Sequence, residues 1–251
     1  MKLYILPVEK ACNAKCKWCI TNFRETASRE FLELGSLERV LEKGNFDKIE
    51  ITGGGEPTLH PSINRIIEMC AERVDTQLYT NGSLLSRISS FTKLKQLCIS
   101  IAHYDMKKNH EIMGIYPDLL TITNMRHDYW NNVKLSLLLH KSGIHTKDEV
   151  LKYFDWANNW AEKVVVRQMF EHDYRDALKG EFISSEKIFK ELRINDFKLT
   201  KHGNPVFQYG NLEVEVEYRS CACEMNNPVL HADGKLHKGW SQEVLNDSNR
   251  K

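Results

Sequence analysis

The stretch DKIEITGGGEPTLHPSINRIIEMC, residues 47–70, holds the reading on which the fold turns. Its first six residues form a short isoleucine-containing apolar run, the pattern of a strand. Three glycines and a glutamate interrupt that run. From Pro61 onward, Ile63, Ile67, Cys70 and Val74 fall on one stripe of a helix. Proline is favoured at the first helical position, so the helix is expected to open at Pro61. Strand, glycine loop and helix in this order make one βα unit.

The same beat runs outward in both directions. Upstream, KLYILPV (2–8) reads as a strand and SLERVLEKG (36–44) as a helix closed by Gly44. Downstream come strand TQLYT (76–80), a short helical stretch near LLSRISSFTKL (84–94) and strand KQLCISIA (95–102). Helical sequence within 106–128, strand VKLSLLL (133–139), helix KDEVLKYFDWANNWA (147–161) and strand KVVVRQM (163–169) complete the series. Repeated βα units imply a parallel sheet with helices covering it. A doubly wound sheet and a closed or partial barrel both satisfy this pattern, and periodicity does not choose between them.

From about residue 180 the character changes. NLEVEVEYR (211–219) alternates Leu212, Val214, Val216 and Tyr218 with charged residues, as a strand with one wet face does. VLHADGKLHKGW (229–240) places Asp233 and Gly234 where a hairpin turn between two short strands would need them. The expected architecture is an α/β body over residues 1–180 and a small antiparallel extension over 181–251.

Composition narrows the function. The 35 lysines and arginines nearly cancel the 34 aspartates and glutamates, unlike the basic footprint of a nucleic-acid binder, so a small or local partner is expected. The opening residues MKLYILPVEK are too short an apolar run for a secretory leader. No stretch approaches the roughly 18 apolar residues of a membrane helix, so a soluble, cytoplasmic protein without a membrane partner is expected. Seven cysteines, an odd number, argue for reduced thiols over a disulfide framework. Cys70 and Cys98 sit in apolar runs and are expected to pack in the core.

Cys12, Cys16 and Cys19 are different. In CNAKCKWC (12–19) they stand at C-x3-C-x2-C spacing just after the first predicted strand. Thiolates so spaced suit an iron-sulfur cluster or zinc; a zinc knuckle would need a distant residue to complete it. A cubane on three cysteines leaves one iron open to a reactant. In TGGGEPTLHP (52–61), consecutive glycines permit close backbone approach to a ligand, and Glu56 can accept from an ammonium group. Both motifs follow successive strands, and a parallel sheet would bring them to one edge.

The order Cys12, Cys16, Cys19 with Trp18 before the last cysteine, then Gly54-Gly55-Glu56-Pro57, then Thr80-Asn81-Gly82, resembles the radical S-adenosylmethionine superfamily over roughly residues 1–170. The resemblance implies a partial (β/α)6 TIM-like barrel and a [4Fe-4S] cluster on the three cysteines. The open iron would be chelated by the amino and carboxylate groups of S-adenosyl-L-methionine. It further implies that electron transfer, from a donor such as flavodoxin or ferredoxin, cleaves the cofactor to a 5'-deoxyadenosyl radical that abstracts hydrogen from a substrate. Carried over by position, Gly54, Gly55 and Glu56 would hold the methionine amino group. Ser100 would reach the carboxylate or ribose, with Thr80 and Asn81 in the same neighbourhood. Alternation along VKLSLLLH turns Val133, Leu135, Leu137 and Leu139 to the helices and leaves Ser136, Leu138 and His140 inside. Ser136 is therefore expected at the ribose and His140 either at the substrate or in hydrogen-bonded structure.

The tail carries Cys221 and Cys223 ahead of the predicted hairpin, similar to the start of the auxiliary-cluster extensions of peptide-modifying members. Further cysteines follow the hairpin in those proteins and none follows Cys223 here. Metal binding with His231 or His237, action on substrate and plain packing are all open to this pair, and Trp240 is a candidate lid. Three functions are compatible with these motifs: radical chemistry on a small metabolite or nucleoside, modification of a peptide or protein side chain, and a non-catalytic zinc or iron-sulfur interaction module.

Overall fold

The computed structural model describes residues 1–19, 31–89, 91–129, 132–169, 178, 180–218, 227–239 and 243–245. Six parallel strands, β1 (Lys2–Ile5), β2 (Lys48–Ile51), β3 (Thr76–Thr80), β4 (Gln96–Ser100), β5 (Val133–Leu139) and β6 (Lys163–Gln168), lie side by side in chain order. That order decides between the two architectures the periodicity allowed. A doubly wound sheet reverses its strand order at a switch point. Here there is no reversal across the six strands, so the sheet winds one way as a partial TIM-like barrel and stays open.

The helices are α1 (Leu34–Lys43), α2 (Ile63–Ala71), α3 (Met106–Met113), α4 (Leu119–Tyr129), α5 (Lys147–Ala157) and α6 (Ser185–Leu192). One hydrophobic cluster joins the helix-facing residues of the strands to Leu37, Ile66, Ile67, Val150 and Phe154, and Cys70 lies within it. β5 alternates strictly, its odd-numbered residues buried and its even-numbered ones half-buried, as its sequence predicts. Helix α2 begins at Ile63, two residues beyond Pro61, because Pro61 and Ser62 still form a turn that follows the short helical turn over Pro57–Leu59. The helical sequence within 106–128 is two helices: Gly114 takes the left-handed conformation at φ 71° and closes α3, and α4 starts after Pro117.

The tail contributes strands to both ends of the sheet. β7 (Lys198–Leu199), β8 (Pro205–Tyr209) and β9 (Leu212–Glu217) extend it beyond β6, while β10 (Pro228–Leu230) and β11 (Leu236–Lys238) extend it beyond β1. The hairpins β8–β9 and β10–β11 are antiparallel, as expected. The joining strands are not: β9 runs parallel to β6 and β10 parallel to β1. The wet face of β9 is turned to the inner side of the sheet, where Glu217 pairs with Arg167 at 2.7 Å and Glu213 with Lys163 at 3.0 Å. Cys98 is also on that inner side. It is buried, but its neighbours are polar, with Gln96 Oε1 at 3.7 Å, and it lies outside the main apolar cluster. Among the described residues no helix is long and apolar enough to cross a membrane.

Candidate functional site

Backbone pairing ties the first two loops of the sheet together. Gly55 N donates to Val8 O at 3.0 Å and Glu56 N to Ala11 O at 2.9 Å, so the chain leading to Cys12 runs along the glycine loop. A Cβ on Gly54 would lie 2.3 Å from Glu9 O, and one on Gly55 would lie 2.1 Å from Ala11 O. The glycines are thus needed for close approach, but the partner is the protein's own cysteine segment. The amides of Gly55 and Glu56 are occupied by that pairing.

Glu56 is 2% exposed and fully engaged on one oxygen. Its Oε1 accepts from Thr58 N at 3.0 Å, Thr58 Oγ1 at 2.6 Å and Thr80 Oγ1 at 2.6 Å. Its Oε2 accepts from Asn81 N at 2.7 Å and keeps a lone pair for one more donor. Asn81 reaches the other way. Its Nδ2 donates to Asn13 Oδ1 at 2.8 Å and lies 4.0 Å from Cys12 Sγ, while its Oδ1 accepts from Ser83. Asn13 Nδ2 closes the ring on Ser83 Oγ at 2.7 Å. Thr80 and Asn81 therefore join the ends of β1, β2 and β3, and charge-assisted bonds to a buried carboxylate are among the stronger such links.

The three cysteines share one loop. Cys19 N donates to Cys16 O at 3.2 Å, and Lys15 N donates to Met113 O at 2.7 Å, anchoring the loop on the end of α3. Cys16 is half-buried against Ala102, Met113 and Ile115, whereas Cys12 is exposed. Burial, followed by the charges of Cys19 and Cys12, pushes the Cys16 thiol up to about 12. Burial, with Glu56 and Cys19 nearby, also raises Cys12. Three thiolates gathered so closely repel one another, and a cationic metal centre removes that penalty. Among the described residues no three His, Cys, Asp or Glu side chains stand at the spacing of a single-ion site.

Ser100 and Ser136 are register partners on β4 and β5, and Ile101 N donates to Ser136 O at 3.1 Å. They share the inner face, as the alternation predicts. A cavity of about 270 Å³ opens beside the cysteine loop, with Lys17, Trp18, His103, Glu111, Ser142 and Gly143 in its wall. Beneath it lies His140, fully buried, its ring 3.8 Å from that of Trp18 between centroids. Among the described residues neither ring nitrogen has a hydrogen-bond partner, and Nδ1 lies 4.0 Å from Glu181 Oε2. Burial, chiefly, lowers its pKa to about 4.

A histidine whose folded pKa lies below its unfolded one stabilises the fold above the unfolded value, near 6.5, and that contribution is lost as pH falls toward 4. Between pH 7 and pH 4.5, His140 is expected to cost the protein about 2.5 kcal/mol of unfolding free energy. Urea unfolding at both pH values measures it. The His140→Phe variant should lose that much less on acidification; an equal loss would assign the acid sensitivity elsewhere.

The sequence offered His231 and His237 as candidate metal ligands beside Cys221 and Cys223, but it gave no sign of the buried partner that His231 takes. His231, at the end of β10, hydrogen-bonds through Nδ1 to Glu9 Oε1, a partner 222 residues away. Its ring lies 4.0 Å from that of His237, whose Nε2 is 3.2 Å from Asp233 Oδ2. Glu9, His231 and His237 are each nearly inaccessible. Because Glu9 also abuts Gly54, the contact fastens the hairpin to the junction of the cysteine and glycine loops. The only local signal was a histidine near each end of a predicted hairpin. Cys221, Cys223 and Trp240 lie outside the described residues.

Comparison with known proteins agrees with this arrangement. The GTP 3',8-cyclase of Chlorobaculum tepidum is 34% identical over 87 residues, which cover 33% of this chain and 26% of that protein. In fold, the chain resembles Streptococcus suis SuiB bound to its precursor peptide SuiA, at a TM-score of 0.69 and 18% identity, covering all of this chain and 62% of SuiB. It also resembles anSMEcpe with bound AdoMet, at a TM-score of 0.62 and 17% identity, covering all of this chain and 78% of that one. The chain thus spans about a quarter of the length of the curated relative and under two thirds of SuiB. The model of the radical SAM superfamily matches residues 7–158, the part that carries both loops and strands β2 to β5, and the protein belongs to that superfamily.

Proposed function

We propose that the protein holds a [4Fe-4S] cluster on Cys12, Cys16 and Cys19, binds S-adenosyl-L-methionine beside it, and starts radical hydrogen abstraction on a small metabolite or nucleoside. The observation that carries this reading is the junction at Glu56. One buried carboxylate links the glycine loop to Thr80 and Asn81, and Asn81 links it to Asn13 and the edge of Cys12.

The residues present suit such a centre. Three sulfurs occupy one loop, one of them exposed, and their mutual repulsion disfavours thiolates without a compensating cation. When bound, the cluster and cofactor supply the one-electron chemistry; the chain supplies placement and exclusion of water. Glu56 Oε2, which accepts from Asn81 N, would take the ammonium group as a further donor, and Ser100 and Ser136 offer hydroxyls to a carboxylate or ribose. Trp18 and the cavity beside it can take the nucleoside, with neutral His140 supporting the ring from below. In this reading residues 1–180 are the catalytic body, residues 181–251 cap the substrate, and an external donor such as flavodoxin or ferredoxin delivers the electron.

A peptide or protein side chain is the alternative substrate. The hairpin of β10 and β11, docked on β1, is the feature that favours it. Metal and sulfide analysis of anaerobically reconstituted protein, combined with an assay for 5'-deoxyadenosine after dithionite reduction, tests the whole reading. Four irons per chain and cofactor cleavage are expected by analogy with a cubane. Zinc in place of iron with no cleavage would instead make the protein an interaction module.

A further inference from the structure

The inner face of the sheet is lined with charge, and among the described residues almost all of it is paired. Lys2 and Lys48 reach Glu50 at 3.2 and 2.9 Å, Lys163 reaches Glu213 at 3.0 Å and Arg167 reaches Glu217 at 2.7 Å. Glu215 accepts from Asn204 Nδ2 at 3.0 Å. Lys134 breaks the pattern. Among the described residues no carboxylate pairs with it; its Nζ is 3.5 Å from the Tyr79 hydroxyl and 5.3 Å from the centre of that ring. The Arg167 guanidinium carbon is 5.9 Å from the centre of the same ring, so two cations flank one phenol. Arg167 is paired with Glu217 at 2.7 Å and its side chain is 36% exposed, so its remaining guanidinium donors are open to a ligand.

A cation in a partly desolvated interior is costly without a counter-charge, and an aromatic face compensates it only in part. Burial, ahead of the charges of Cys98 and Glu50, pushes the Tyr79 phenol well up, so its hydroxyl stays protonated and can donate. Lys134, Arg167 and Tyr79 gather three donors on one face; Arg167 has Glu217 and the Tyr79 hydroxyl has Cys98, and Lys134 is the one left without a carboxylate among the described residues. One step along the same face of β5 stands Ser136, register partner of Ser100, roughly 7 Å from Lys134 along the strand.

We propose that the substrate carries an anionic group, a carboxylate or a phosphate, and that Lys134 anchors it on the inner face, with Arg167 and the Tyr79 hydroxyl as further donors. The inference rests on the radical reading above, in which Ser100 and Ser136 face the cofactor. A small anionic molecule held at Lys134 would then lie within one or two strand steps of the cofactor site.

Equilibrium titration of the full chain with inorganic phosphate and, separately, with acetate tests the anchor. Saturable binding of at least one probe is expected in the wild type, weakened about tenfold or more in Lys134→Met and largely restored in Lys134→Arg. The stronger probe identifies the class of anion. Iron content and S-adenosylmethionine affinity should match the wild type in both variants, and Lys134→Gln replaces Lys134→Met if the latter does not fold. Equal binding by the Lys134→Met or Lys134→Gln protein, or no saturable binding of either probe by the wild type, overturns the proposal. The titration needs neither cluster nor cofactor. A chain that holds no iron yet loses anion binding with Lys134 would refute the radical reading and leave the anion site standing.

Discussion

Cys16→Ala is expected to strip the protein of iron and of all cofactor cleavage. Two thiolates cannot hold a cubane that already has one open corner, so no partial occupancy should survive reconstitution. The substitution removes only a sulfur that packs beside Ala102, Met113 and Ile115, and its effect on stability should be about 1 kcal/mol. Iron and sulfide quantification together with thermal unfolding separate the two effects. Full iron content in a folded Cys16→Ala protein would contradict the assignment of the loop as the cluster's holder.

Glu56→Ala should do damage of a different kind. Four donors converge on this buried carboxylate, from Thr58 N, Thr58 Oγ1, Thr80 Oγ1 and Asn81 N. Hydrogen bonds to a charged group contribute about 1.5 to 3 kcal/mol each and do not simply add, so a loss of stability of roughly 3 kcal/mol or more is expected. Glu56→Gln keeps the volume and one acceptor, and should fold. In it the affinity for S-adenosylmethionine is expected to fall by about tenfold or more, because the uncharged amide no longer attracts an ammonium group. Calorimetric titration of the folded Gln variant is the decisive measurement. Unchanged affinity there would leave the glycine loop as a structural connection and nothing more.

Much of this site was visible in the chain itself. TQLYT and VKLSLLL are strands with the boundaries their sequences predict, because β-branched and apolar residues alternate between turn signals. The spacing of Cys12, Cys16 and Cys19 and the position of Gly54 to Glu56 after the next strand pointed to one edge of a parallel sheet, and that is where they meet. The role of the glycines was only half legible. Close approach could be read from the absence of side chains, but not that Glu9 and Ala11, and not a ligand, would be what they approach. Cys98 is buried as its apolar run predicts, but that run did not show that its face of the strand is lined by Gln96, Lys134 and Arg167.

By itself the amino-acid order determined the elements, their alternation and the chemical character of each loop, since periods of 2 and 3.6 residues and turn residues act over short distances. Only the tertiary structure decided that the six strands follow one another without reversal and that the tail divides between the two ends of the sheet. It alone brought His231 to Glu9 and left Lys134 beside Tyr79 without a carboxylate among the described residues. Those facts depend on which strands become neighbours, and neighbour choice follows from packing whole faces against one another, a property that no local pattern encodes.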